Sequence, residues 1–293
     1  MTPIRKIQDE QGIVGREREL ATALAVLGAG RHLLLEGPVG VGKTTVALAV
    51  CAHLGRPTVR VDGDDRYSES KLTGWFDPPL VLERGYNADS FFAGPLVQAM
   101  RDGAVLFINE LNRMPESVQN VLLPALDERI VQVPHIGVVR AAEGFQVVAT
   151  QNPVEYVATG HLSEALRDRF EHLALEYQDA GEETAIVRRE TGSDDAGLIT
   201  LAVRLTRATR HHPRFRKGAS VRAAVAMVVI ASSLDGESAL RQAMEAALTT
   251  RVDLRDDIDA DLSAALDELY EQVVVRGEDP DAEADGSGAG PKA

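Results

Sequence analysis

The chain reads as an α/β protein: a parallel sheet alternating with helices, followed by a smaller helical domain. Three observations predict this. From Ile13 to Tyr177, short β-rich runs alternate with helix-spaced patterns, as strand–helix–strand units require. A glycine-rich loop, Gly37-Pro38-Val39-Gly40-Val41-Gly42-Lys43-Thr44, lies between an apolar strand pattern and a helical one. From Gly181 to about Val275 there is no convincing strand, only helix-spaced apolar segments.

Composition bounds the reading. The 293 residues suffice for an α/β core and one smaller domain, and 44% apolar content permits a sizeable interior. No segment approaches 18 consecutive apolar residues, and the start, Met1-Thr2-Pro3-Ile4-Arg5-Lys6, lacks a signal-peptide apolar region. Cys51 is the one cysteine and reads as a small core residue, so a reduced, cytoplasmic setting is expected. The net charge of −14 argues against a broad nucleic-acid surface, which needs clustered Lys and Arg. One stretch departs from that: Arg204 to Arg222 carries seven Lys or Arg and no acid. It reads as a solvated or subunit-facing helix surface rather than a polyanion groove.

Taken in order, residues 1–12 read as a short arm. His32–Leu35 is the first strand, and the glycine loop after it fits the phosphate-binding pattern G-x-x-x-x-G-K-[ST] in the required strand–loop–helix context. Its glycines let backbone N–H groups close on a polyphosphate at a helix N-terminus. Lys43 is expected to reach the β- and γ-phosphates and Thr44 to hold Mg²⁺, with Thr45 next on the same helix start. Thr58–Val61 is a second strand. Ala104–Ile108 is a third, ending in Asn109-Glu110, where a carboxylate at the strand tip can orient or deprotonate an attacking water. Phe145–Thr150 is a fourth, ending in Gln151-Asn152, whose amide can read the γ-phosphate or the water. Arg167 and Arg169 precede a fifth strand at Leu173–Tyr177. Arginine suits transferring phosphoryl charge because its planar fork is always protonated. Ala223–Ala231, Ala239–Leu248 and Leu262–Val275 read as helices, and Gly277–Ala293 as a disordered acidic tail.

Together these signals resemble the AAA+ ATPases, and more narrowly the MoxR family, from Ile13 to about Ile230. Val14-Gly15-Arg16-Glu17 is similar to the family's adenine-side segment, with Val14 and Gly15 against the base. Asn109-Glu110-Leu111-Asn112-Arg113 resembles its Walker B stretch, Ala149-Thr150-Gln151-Asn152-Pro153 its first sensor, and Glu164–Phe170 its arginine-finger box. Gly218-Ala219-Ser220-Val221-Arg222-Ala223 resembles its second sensor, with Arg222 contacting nucleotide from the helical lid. Trp75–Leu96 resembles the insert in the family's second helix. Glu128–Gly144 resembles its hairpin before the first sensor, and the β-branched runs around a Gly/Pro turn read independently as a hairpin.

The resemblance implies an arm at 1–12, an AAA+ core at 13–178, a small all-α lid at 179–276 and a tail at 277–293. It implies ATP and Mg²⁺ as cofactors and a homo-oligomeric ring, most often a hexamer. The work implied is remodelling or maturation of client proteins, commonly with a von Willebrand A-type partner. Glu110 would be the water-activating residue, Asn152 the γ-phosphate sensor, and Arg169 or Arg167 the finger acting across the subunit interface. One departure stands out. The family usually places Asp where this chain has Asn109; the amide can still accept from a metal-bound water, but a negative charge beside the dication is missing. Two other readings stay open: a weakly hydrolysing nucleotide switch or scaffold, and a nucleic-acid-directed motor or restriction-type GTPase.

Overall fold

The computed structural model describes residues 2–152, 162–255 and 261–278. It divides into two compact units, Met1–Glu176 and Tyr177–Ala293. The first is built on a five-stranded parallel sheet. Its members are β1 (His32–Glu36), β2 (Thr58–Asp62), β5 (Val105–Asn109), β8 (Gln146–Gln151) and β9 (Phe170–Ala174), in the order β2-β5-β8-β1-β9. The missing numbers are two ribbons inserted along the chain, β3 (Gly74–Phe76) with β4 (Phe91–Ala93), and β6 (Ile130–Val133) with β7 (Gly137–Arg140).

Position in the sheet explains the sequence patterns. The central strands β1, β5 and β8 are covered on both faces and are buried over nearly their whole length, which is why they read as unbroken apolar runs. The outer strands β2 and β9 are only partly covered, with one buried residue each (Val61 and Phe170), and carry charged or polar residues beside the apolar ones. That interruption hid the fifth strand, which runs over Phe170–Ala174 rather than the expected Leu173–Tyr177. Pairing with β1 sets this register: Phe170 lies opposite His32 and Ala174 opposite Glu36, with one further bond from Leu175 N–H to the Glu36 carbonyl at 2.7 Å.

The segment read as an arm is a helix, Pro3–Gln11. Thr2 caps it, Pro3 starts it, and Gly12 ends it in the left-handed region at φ 62°. Fully buried Ile7 anchors this helix in the first unit. Cys51 is buried on the Lys43–His53 helix. The insert is the antiparallel β3–β4 ribbon bracketing a short helix, Pro78–Arg84. In the β6–β7 hairpin Val133 pairs with Gly137 across the turn. Rings join the two insertions: His135 of the hairpin stacks on Tyr86 at 4.4 Å and meets Phe76 edge-on at 5.8 Å, and Phe76 also packs on Phe91.

The second unit is mainly helical, with Ala180–Thr191, Ala196–His211, Val221–Ala231, Ala239–Leu248 and Leu262–Tyr270 around a core that includes Leu205, Met227, Met244 and Leu269. It is not all-α. Strands β10 (Phe215–Lys217) and β11 (Asp253–Leu254) form a small antiparallel ribbon, too short to leave a two-residue periodicity in the sequence. The basic stretch is largely tied up within this unit. Arg207 and Arg210 hold the buried Glu183, Arg214 pairs with Glu268, and Arg204 donates to the carbonyls of Gly277 and Glu278. The remainder of the acidic tail, 279–293, lies outside the described residues, as does Pro153.

Candidate active site

The C-terminal ends of parallel strands are where ligands gather in open α/β sheets, and here four of them converge. The loop after β1 leads into the Lys43–His53 helix with Gly40 and Gly42 at φ 83° and 93°, a conformation that glycine adopts without strain. Gly37 is needed for a different reason: a Cβ there would lie 2.1 Å from the Leu175 carbonyl oxygen. Arg16, itself buried, fastens this loop by donating to the carbonyls of Val41 at 3.0 Å and Glu176 at 2.6 Å.

Lys43 is folded into its own loop. Its Nζ donates to the carbonyls of Gly37 (2.6 Å) and Pro38 (2.8 Å) and to Asn152 Oδ1 (3.0 Å). Asn152, at the tip of β8, also donates through Nδ2 to Glu110 Oε1 at 3.2 Å. One amide thus bridges the loop cation and the β5-tip carboxylate. Glu110 is in the left-handed region, with φ 58°, and its other oxygen accepts from Arg113 Nη1 at 3.0 Å. That bond is the main cause holding the Arg113 guanidinium above its ordinary pKa.

Asn109 is the hub of a second network. Its Oδ1 accepts from the hydroxyls of Thr44 and Thr150, both at 3.0 Å, and its Nδ2 donates to Asp62 Oδ1 at 3.0 Å. Thr150 in turn accepts the Glu110 N–H at 2.9 Å, so the β5 and β8 tips are tied together. Asp62 ends β2 and is held below the usual carboxylate range, first by the Arg60 guanidinium and also by the Asn109 amide. Immediately beyond it, Gly63 donates to the Asn109 carbonyl at 2.7 Å, and a Cβ at this position would fall 2.1 Å from the Glu110 carbonyl oxygen.

The loop residues Gly37, Pro38, Val39, Gly40, Val41, Gly42, Lys43, Thr44 and Thr45 are therefore in one place with Asn109, Glu110 and Asn152. Val14 and Gly15 precede the Glu17–Gly28 helix, and Gln8 of the N-terminal helix donates to the Gly15 carbonyl at 2.7 Å. The two arginines before β9 differ. Arg169 is engaged by both oxygens of Asp127 and by the Ala165 carbonyl, whereas Arg167 is exposed. Arg222 is exposed on the Val221–Ala231 helix of the second unit. Sequence reading missed Asp62, which lies in no motif; Arg16, Arg113 and Thr150 fall within the quoted motif stretches but were given no individual role there.

A hydroxyl and an amide oxygen facing each other, with carboxylates on either side, form a hard oxygen set. It suits Mg²⁺, which keeps several waters and takes few protein ligands. Glycine backbone at a helix start with an adjacent lysine suits a polyphosphate.

This loop, sheet order and set of strand tips define the nucleotide-binding core of an AAA+ ATPase. Comparison with known proteins agrees: residues 32–170 match the family described as AAA domain (dynein-related subfamily). Protein NorQ of Paracoccus denitrificans is 32% identical over 261 residues, covering 85% of this chain and 91% of that one. The gas vesicle ATPase GvpN of Ancylobacter aquaticus is 29% identical over 236 residues, and GvpN2 of Halobacterium salinarum 32% over 191. Those matches take in 73% and 60% of this chain but only 64% and 56% of the gas vesicle proteins' own length. Among solved structures, a Thermotoga maritima RuvB mutant aligns with TM-score 0.55 at 19% identity, over 92% of this chain and 85% of that one, a likeness of fold. The chain belongs to the MoxR family of AAA+ ATPases.

Proposed function

We propose that this chain hydrolyses ATP in a Mg²⁺-dependent reaction and uses the cycle to remodel or mature client proteins. The observation that carries the reading is the Asn152 bridge between Lys43 and Glu110 at the mouth of the phosphate loop. With ATP bound, Lys43 would exchange its loop carbonyls for the β- and γ-phosphate oxygens, releasing Asn152 to face the γ-phosphate. Glu110 would orient the attacking water and accept its proton. Mg²⁺, when bound, supplies positive charge to the phosphate oxygens; Thr44 would hold it, and Asn109 would do so through water.

The work would be done in a homo-oligomeric ring, most often a hexamer in this family, in the cytoplasm. Arg169 of one subunit would reach the nucleotide of the next, with Arg222 contacting nucleotide from the lid domain. A von Willebrand A-type protein is the expected partner. The domain limits proposed above, 13–178 for the core and 179–276 for the lid, go with this reading. Asn109 supports a second reading, a weakly hydrolysing switch, because it lacks the charge usual at that position. Steady-state turnover and nucleotide binding decide between them. Lys43→Ala should bind no ATP, while Glu110→Gln should bind ATP and hydrolyse it at least about a hundredfold more slowly. Parental turnover in Glu110→Gln, or parental ATP affinity in Lys43→Ala, would overturn the assignment. A parent that binds ATP but barely turns it over would establish the switch.

A further inference from the structure

The amide of Asn109 has three hydrogen-bonding neighbours, and they are not equivalent. The Thr44 and Thr150 hydroxyls can donate or accept, so by themselves they would tolerate either orientation of the amide. Asp62, as a carboxylate, only accepts. It therefore takes the Nδ2 side at 3.0 Å and leaves the Asn109 carbonyl oxygen facing Thr44. The contact spans 47 residues of chain and is set by the parallel pairing of β2 with β5, in which Asp62 and Asn109 are register partners.

We propose that Asp62 supplies the carboxylate charge of the metal–nucleotide site, acting through the Asn109 amide that it orients. The charge missing at position 109 is thereby placed one strand away. Asp62 also pairs with Arg60, whose Nε and Nη2 donate to both carboxylate oxygens at 2.8–3.3 Å, but with side-chain exposures of 48% for Arg60 and 60% for Asp62 that pair is screened by solvent. A dication arriving beside Asn109 can draw on the carboxylate without breaking a buried interaction. Asp62 is thus a positioning residue, and its charge is the part that matters beyond its shape.

This inference rests on the proposed nucleotide site, and the experiment separates the two. The full-length chain is titrated with Mg²⁺ in the presence of a fluorescent, non-hydrolysable ATP analogue, and binding is also measured in EDTA. The variants are Asp62→Asn, which keeps an oxygen acceptor for the Asn109 amide but loses the charge, and Asp62→Asn with Asn109→Asp, in which amide and carboxylate change places. Asp62→Asn should keep the affinity seen in EDTA, while the Mg²⁺ concentration for half-maximal effect rises roughly tenfold, the scale of a charge-assisted hydrogen bond. The exchanged double variant should return to within about threefold of the parent. Thermal melting of Asp62→Asn should match the parent, since that side chain is 60% exposed. A parental Mg²⁺ dependence in Asp62→Asn, or no recovery in the double variant, would overturn the role of Asp62. If the parent fails to bind the analogue at all, the nucleotide site itself is wrong and the proposal falls with it.

Discussion

His32 opens β1 with its ring packed between Phe145 and Phe170, and Nδ1 accepts the Val147 N–H at 2.9 Å. Burial is the largest cause pushing its pKa down to about 4 from 6.5, so the ring is neutral in the native state. Between those values the unfolded chain binds a proton that the folded one does not, and stability therefore rises with pH across that window. At neutral pH this contribution is complete; as pH falls from about 6.5 to 4, about 3 kcal/mol of it should be lost. Chemical denaturation of the parent and of His32→Asn at a series of pH values reads it directly. The variant should lack that part of the slope, and parallel pH profiles would count against a buried neutral imidazole. At this scale the sequence showed what is local. Lys43, Thr44 and Glu110 are legible because a loop and a strand tip are contiguous in the chain. The Asp62–Asn109 pair is not, because it exists only once β2 lies beside β5.

Strand tips packed this closely leave no room for a methyl group. Gly63→Ala would press a Cβ against the Glu110 carbonyl, with no flexible side chain to give way, so the ends of β2 and β5 must part. The expected cost is about 1–3 kcal/mol by overpacking, together with weaker Mg²⁺-nucleotide binding from the displaced Asp62. Near-parental melting and binding would mean the tips are softer than this contact implies. In the helical unit the corresponding point of tension is Glu183, 2% exposed, which takes two bonds from Arg210 at 2.8 and 3.2 Å and one from Arg207 at 3.4 Å. Glu183→Ala should destabilise this unit by about 3–5 kcal/mol, because it strips a buried cation of its counter-charge. Glu183→Gln should cost less, since it keeps an acceptor, and equal losses in urea titration would argue for packing rather than charge. Two other elements show why the sequence was only partly legible. Buried strands announce themselves as apolar runs, but β9, half-exposed, is broken by Glu171 and His172, and the β10–β11 ribbon is shorter than any period it could display.

For the whole molecule, the proposed ring makes one arginine a property of two chains. Arg169→Ala should leave ATP binding nearly intact and remove most turnover, roughly a thousandfold if it stabilises the transferring phosphoryl group from the neighbouring subunit. Mixing Arg169→Ala chains with Lys43→Ala chains should restore activity at interfaces where a good loop meets a good finger. No recovery in demonstrably mixed assemblies would rule out action in trans. If Arg167→Ala behaves this way while Arg169→Ala stays active, the exposed arginine is the finger and the Asp127 pair merely anchors the other. The stack of Tyr86 on His135 carries a different consequence. Two insertions made from separate stretches of chain share one set of rings, so neither is a self-contained module. A chimera that imports the insert of a relative without its hairpin would leave His135 facing a mismatched surface. Grafting them as a matched pair should succeed where either alone yields a misfolded or inactive chain, which makes inheritance of these two segments a joint affair.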